Sequence, residues 1–466
     1  MSFRFVTALA AALSAGLACA ASTPERGVLV DLVAVGDSAQ VEALKGSDGA
    51  DWWLEVGEVL LLAGDVEALH ASVPPHLLLR DVDNLRADRL ALRPRGCIDH
   101  RQALAPEDLL LVSDTFELVN QPVSFAPAGL TAGRINPHLG VPEFVGIERN
   151  SVIARLHRFD LEQGPPAADP GIAHIASKVD ADRWFETVTA LAGWDRSSYS
   201  PTLPAARQWI GAQFAEAGLS VSEPVFTVPF ATPAPLANVI GRIEGTTTPD
   251  EWVIIGAHYD SRNATLSSPS PSPGADDNAS GCAGVIEAAR VLARYRPARS
   301  VLFMCYSGEE QGLYGSQGHV ETLAASGDLG KVQAMLNMDM IGWVSGPPPG
   351  VLACTRSAQA TGAAELLATL SDAFATYAPV LQVTTSTSTA GCCCSDHAPY
   401  LQAGRPATHS IHRGGTTYPH YHKETDTPSN LGPHARDVGG AIVRGNIAAL
   451  ALLAGYDLLF AGDFED

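Results

Sequence analysis

The sequence predicts an α/β protein: a mostly parallel central sheet with helices on both faces, preceded by a small α+β domain. Three observations carry that expectation. After residue 172 short apolar runs alternate with stretches of helical period. Before it stands Glu162–Gly171 (EQGPPAADPG), polar and dense in Pro and Gly, which reads as a linker. The composition is globular, with 46% hydrophobic and 17% charged residues over 466 positions, a length suited to two or three domains.

Taken in order, residues 1–20 read as a signal peptide. Arg4 opens it, Phe5–Ala18 is apolar but too short to span a bilayer, and Ala18-Cys19-Ala20 is a small-x-small cleavage site. Gly16 stands where a lipoprotein signal would carry Leu, so cleavage after Ala20 and secretion, extracellular or periplasmic, are expected. Residues 21–163 form the N-terminal pro-region-like α+β domain, with strand-like runs at Val28–Val33, Glu58–Leu62 and Leu77–Val82 and a helical pattern at Asp65–Ala71. It holds no cluster of metal-ligand types. It is expected to be separate and to lie over or beside the cleft of the region beyond the linker, as a folding aid or inhibitor.

Residues 164–171 are the linker, 172–455 the catalytic domain and 456–466 a C-terminal tail. Helical spacing marks Pro204–Gly218 and Gly281–Tyr295, and strands are expected at Val253–Ala257, Ser300–Tyr306 and Val332–Met338. The late run Ile447–Phe460, broken by Gly455 and Asp457, reads as a buried helix, and no run after the signal reaches membrane length. A net charge of −21 argues against nucleic acid or acidic lipid as partner. Seven Cys follow the signal, an odd number in an oxidising setting. Cys282 and Cys305 lie in apolar stretches and read as buried small hydrophobes, while Cys392-Cys393-Cys394 is the expected disulfide donor, its partner open.

The chemistry-bearing residues stand at strand ends, where open α/β sheets build their sites. His258-Tyr259-Asp260 follows the first strand, and residues two apart share a face, so Asp260 can hold the second ring nitrogen of His258. Gly274-Ala275-Asp276-Asp277-Asn278-Ala279-Ser280-Gly281 opens a helix. Glu309 and Glu310 adjoin at a strand end, where two acids repel unless a cation is near. Asp339 sits among apolar neighbours and must be paired or metal-bound. His422 is the better ligand of the pair His420/His422, with Asp426 as its possible partner. Two His and several carboxylates suit zinc, and the number of donors fits two ions sharing a bridging carboxylate.

These motifs, H-Y-D-S at His258, G-A-D-D-N-A-S-G at Asp276, G-E-E at Glu309, N-M-D-M at Asp339 and H-x-x-x-D-T at His422, resemble those of the secreted co-catalytic di-zinc aminopeptidases, the bacterial leucyl and Streptomyces-type enzymes. The resemblance covers residues 172–455, with Asp180–Phe214 similar to the family's entry helices. It implies that His258 and Asp339 hold one zinc, Glu310 and His422 the other, and Asp276 bridges them. It also implies that Asp260 orients His258, Glu309 is the general base, and the Asp276–Asp277 peptide bond is cis. Substrates would be peptide or protein N-termini, with an apolar, Leu-like first residue accepted near Met340, the Cys run, Tyr418 and Tyr421. Cys394-Ser395-Asp396-His397 resembles the family's C-S-D-H beside the substrate pocket, although Ala390 stands where those enzymes carry the pairing Cys. Alternatives are a single-zinc glutaminyl cyclase-like acyltransferase, a carboxypeptidase-type relative using Arg405 or Arg413 to grip a carboxylate, and an inactive binding protein on the same fold. The intact D-D-N-A-S-G run and the full ligand set favour the peptidase.

Overall fold

The computed structural model describes residues 25–86, 89–95, 104–113, 116–120, 135–136, 141–142, 144–161, 164–263, 271–388, 392 and 395–456. The segment expected to be a signal peptide, Cys97, Cys393, Cys394 and the tail after Tyr456 lie outside them. The N-terminal region contributes β1 (Glu25–Asp31), α1 (Ser38–Lys45), β2 (Ala50–Gly57), β3 (Val59–Gly64), α2 (Val66–Ser72), β4 (Leu78–Leu85), β5 (Leu90–Pro94), β6 (Leu109–Val112), β7 (Phe116–Asn120), β8 (Ile135–Asn136), β9 (Val141–Pro142), β10 (Val145–Gly146) and β11 (Ser151–Leu156). After the seam come α3 (Pro170–Ser177), α4 (Ala181–Ala192), α5 (Leu203–Glu216), β12 (Ser220–Ser222), β13 (Val239–Ile243), β14 (Thr248–His258), α6 (Gly281–Leu292), β15 (Arg299–Tyr306), α7 (Tyr314–Ser326) and β16 (Val332–Met338). The chain continues through β17 (Gly350–Cys354), α8 (Ala363–Tyr377), β18 (Gln382–Ser386), α9 (His397–Gln402), β19 (Ala407–His412) and α10 (Ala435–Ala454).

One 13-stranded sheet runs through the molecule in the order β12-β13-β15-β14-β16-β19-β17-β18-β11-β2-β3-β1-β4. Its centre, β15-β14-β16-β19, is parallel, and antiparallel neighbours flank it on both sides. The central strands are continuous apolar runs because both faces are covered. Val253, Ile255 and Ala257 of β14 enter the core with α6 and α10, while Trp252 and Ile254 face the core that takes Val320 and Leu323 of α7. The parallel register aligns His258 with Tyr306, so β14 and β15 deliver their motifs at one edge of the sheet.

Helix α10 is long and apolar enough to cross a membrane, yet most of its side chains are buried inside the fold. Its glycines decide how closely neighbours approach. A Cβ at Gly439 would collide with the Trp184 ring of α4, and one at Gly445 with Phe374 of α8. Gly455 ends the helix at φ +67°, the left-handed geometry that favours glycine.

Helix α3 begins inside the expected linker, at Pro170, because Asp169 caps it by accepting from Gly171 N (2.8 Å) and Ile172 N (3.0 Å). The N-terminal region has apolar clusters of its own, yet it is not set apart as expected. Before the seam, β11 pairs parallel with β2 and antiparallel with β18, which joins the two regions in one sheet. Glu58 accepts from Gln382 and Arg413, and His157 Nε2 lies 3.0 Å from Asp372 of α8. Arg95, beyond β5, reaches the carbonyl of Thr416 at 3.4 Å, close to the loop that carries His422. Two thiols also differ from expectation. Cys282 and Cys305 are disulfide-bonded, joining α6 to β15, and Cys392 pairs with Cys354 at the end of β17. A proteolytic cut between residues 164 and 169 should therefore leave both fragments eluting together on native gel filtration, and their separation would contradict the shared sheet.

Candidate metal centre

The loops after β14, β15 and β16 and the loop after β19 bring His258, Glu309, Glu310, Asp339 and His422 together. Nδ1 of His258 donates to the carbonyl of Asp260 at 3.1 Å, so its Nε2 turns a lone pair toward the carboxylates. That Nε2 lies 3.4 Å from Asp339 Oδ1 and 4.0 Å from Glu309 Oε2. Nε2 of His422 lies 3.3 Å from Glu310 Oε2. His420 stands outside, its Nδ1 2.9 Å from Thr425 Oγ1.

Between the two histidines stands Asp277, not Asp276. Its Oδ1 is 3.3 Å from His258 Nε2 and its Oδ2 2.9 Å from His422 Nε2. The carboxylate of Asp276 is buried on another side, accepting from Gly342 N (2.8 Å) and pairing with His412 Nε2 (2.7 Å). The position between the two histidines, expected for Asp276 by motif, is held by its neighbour. The cis peptide bond is displaced by the same single step, to Asp277–Asn278. Asp426 enforces the choice from 150 residues away. Its two oxygens accept the backbone N–H groups of Asp276 and Asp277, each at 3.0 Å, and Oδ1 also takes the Tyr418 hydroxyl at 3.0 Å. That corrects the expected pairing of Asp426 with His422.

Asp260 orients His258 through its main chain. Its carboxylate is 3.7 Å from Nδ1, too far for a hydrogen bond, and instead accepts from the backbone N–H groups of Glu309 (3.2 Å) and Glu310 (3.4 Å). One aspartate thus links the histidine to the glutamate pair. Ser395, in the C-S-D-H segment, donates to Asp339 Oδ2 at 2.6 Å. Asn278 fixes the turn by accepting from Gly281 N (2.8 Å) and Met340 N (3.2 Å). His422 itself holds φ +52°, a left-handed conformation costly for a residue with a side chain.

The electrostatics are those of a crowded acid cluster. Burial pushes Glu309 well above the ordinary carboxylate range; His258 opposes this and the acids Glu310, Asp339 and Asp396 add to it. Burial, with Asp277 beside it, pushes Glu310 up to about 7. Burial also acts on Asp277, but the neighbouring imidazoles of His258 and His422 outweigh it and hold that carboxyl well below its usual range. His422 is held up at about 9 because Glu310 and Asp277 overcome its burial. Glu310 Oε1 and Asp339 Oδ1 are buried and accept no hydrogen bond from the described residues. Buried anionic oxygens without a donor call for a cation, and two imidazoles with carboxylates match the donor preference of zinc.

Arg405 donates to Val332 O at the far end of β16, and Arg413 is taken by Glu58 and Pro348 O. Neither offers the guanidinium that a carboxypeptidase reading asked of it.

Residues 238–445 match peptidase family M28. A "Probable zinc metalloprotease" of Pyrenophora teres f. teres is 35% identical over 196 residues, covering 37% of this chain and 41% of that protein. A "Probable aminopeptidase" of Saccharomyces cerevisiae is 31% identical over 219 residues, covering 44% of this chain and 56% of that one. The chain thus spans about half or less of the length of these relatives. The LapA aminopeptidase of Legionella pneumophila shares the fold, with a TM-score of 0.52 at 18% identity over 78% of this chain and 98% of that one. His258, Asp277, Glu309, Glu310, Asp339 and His422 all fall inside the segment that matches peptidase family M28.

Proposed function

We propose that this protein is a secreted aminopeptidase that removes an apolar first residue from peptides with two zinc ions and a glutamate base. The observation that carries the reading is the carboxylate of Asp277 set between His258 and His422, at 3.3 and 2.9 Å. Each histidine has a further acid beside it, Asp339 at 3.4 Å for His258 and Glu310 at 3.3 Å for His422. On this reading His258 and Asp339 hold one ion, His422 and Glu310 the other, and Asp277 serves both. When bound, zinc polarises a carbonyl and lowers the pKa of a water.

The remaining work falls to the chain's own groups. Glu309 is buried and directed at the cluster by the Asp260 carboxylate behind its N–H. It takes the proton of the attacking water and passes it to the departing amine. Asp260 fixes the His258 tautomer through its carbonyl, and Ser395 fixes Asp339. Tyr421, stacked on His422 with ring centroids 3.7 Å apart, offers apolar surface beside the cluster, which suits a Leu-like side chain with modest discrimination. Secretion is supported by the two disulfides, which persist in oxidising compartments.

Three measurements test the proposal. Leu-p-nitroanilide and a C-terminally blocked peptide should be hydrolysed, while an N-terminally blocked peptide should not. Cleavage confined to free C-termini, or release of pyroglutamate without hydrolysis, would replace the reading by one of its rivals. Glu309→Gln should keep its zinc and lose about 10²–10⁴-fold in kcat, the scale of a general base; near-normal turnover would remove Glu309 from the mechanism. Asp277→Ala should purify with zinc content well below the wild type. Asp276→Ala should retain more zinc and instead lose about 1–3 kcal/mol of stability, because the buried Gly342 N–H loses its carboxylate acceptor. Equal zinc loss in the two variants would undo the one-residue correction.

A further inference from the structure

Arg196 lies in the turn between α4 and α5, fully buried. Its guanidinium meets four main-chain carbonyls. Nε donates to Tyr259 O (2.8 Å), Nη1 to Leu191 O and Pro273 O (both 2.6 Å), and Nη2 to Gly274 O (2.8 Å). Tyr259 directly follows His258, and Gly274 stands three residues before Asp277. The main chain of Arg196 repeats the linkage, since its carbonyl accepts from Ser261 N at 3.1 Å and its N–H donates to Ser272 O at 3.4 Å. Asp195 adds a further tie by accepting from Ser272 N at 3.2 Å. The two stretches also touch directly through Ser261 Oγ and Ser272 O at 2.5 Å.

A buried guanidinium spent on carbonyls is costly to bury, and burial lowers its pKa to about 10 against the pull of Asp426 and Asp260. The arrangement gains planar geometry. Four N–H bonds in one plane fix the Tyr259 and Gly274 carbonyls at a set separation, which the three donors of a lysine on a flexible stem cannot reproduce. We infer that the Asp195–Arg196 turn is a positioning device for the metal centre, holding the His258 loop and the Asp277 loop at the spacing that lets both side chains serve one ion. The inference rests on the di-zinc reading above.

Zinc affinity of the folded full-length protein, measured by competition with a chromogenic chelator, is the readout. Melting temperatures of the metal-free and zinc-loaded forms are taken alongside. Arg196→Lys should weaken zinc binding tenfold or more and lower kcat more than it raises KM. Asp195→Ala keeps the guanidinium contacts and removes the Ser272 strap together with the local Ser197 N–H contact at 3.3 Å, so it should weaken zinc binding about threefold and leave the metal-free melting temperature near wild type. That second variant decides the matter if Arg196→Lys does not fold. Wild-type zinc affinity in Asp195→Ala, or in a folded Arg196→Lys whose two melting temperatures fall equally, would reduce the turn to ordinary core structure and overturn the inference. A wild type that binds no zinc would instead overturn the metal reading itself.

Discussion

Acids cannot be gathered in an apolar interior without something positive among them. Around the Nε2 of His258 stand Asp277, Asp339 and Glu309, all buried and all within 4.0 Å. Glu310 and His422 repeat the pattern one step away. Most of the local structure answers to that constraint. Asp260, Asp426, Asn278 and Ser395 hold main chain and carboxylates at fixed angles, and each reaches the cluster from a different part of the sequence. The parallel strands supply the frame, because their shared direction puts successive loops at one edge.

The strands of the sheet centre were legible because their side chains are apolar on both faces. Val253–Ala257, Ser300–Tyr306 and Val332–Met338 all fall within the observed β14, β15 and β16. Strand β19, Ala407–His412, was not, since Thr408, His409 and Ser410 are polar residues buried among polar partners. Asn337 Nδ2 lies 3.2 Å from His409 Nδ1, and Ser410 Oγ donates to Asn446. Hydropathy has no means of marking such a strand. Strand β2 escaped for a related reason, its aromatic and acidic residues breaking any simple alternation.

Within the site, residue types were legible and their division of labour was not. Asp276 and Asp277 are chemically identical neighbours. What separates them is the set of N–H groups and the histidine each one faces, and those come from Gly342, His412 and Asp426. The role of Asp260 was blurred in the same way, since a carbonyl rather than a carboxylate meets His258. Arg196 carried no motif at all, because a guanidinium that serves carbonyls has no partner whose type could be read. The Cys282–Cys305 bridge was hidden by apolar surroundings that suit a thiol and a disulfide equally well.

The glycines of α10 bear on the order in which the molecule is built. Gly439, Gly440 and Gly445 each cost a helix about 1 kcal/mol relative to Ala, so this segment is a poor helix by itself. It becomes one by laying its bare backbone against Trp184 and Phe374, residues made long before it. Trp184 in turn donates to Ser280 O at 3.0 Å, in the turn just past Asp277. During synthesis, then, the wall behind the reactive cluster waits on a helix encoded after every strand of the sheet, and the nascent chain passes through most of its length before that wall can close.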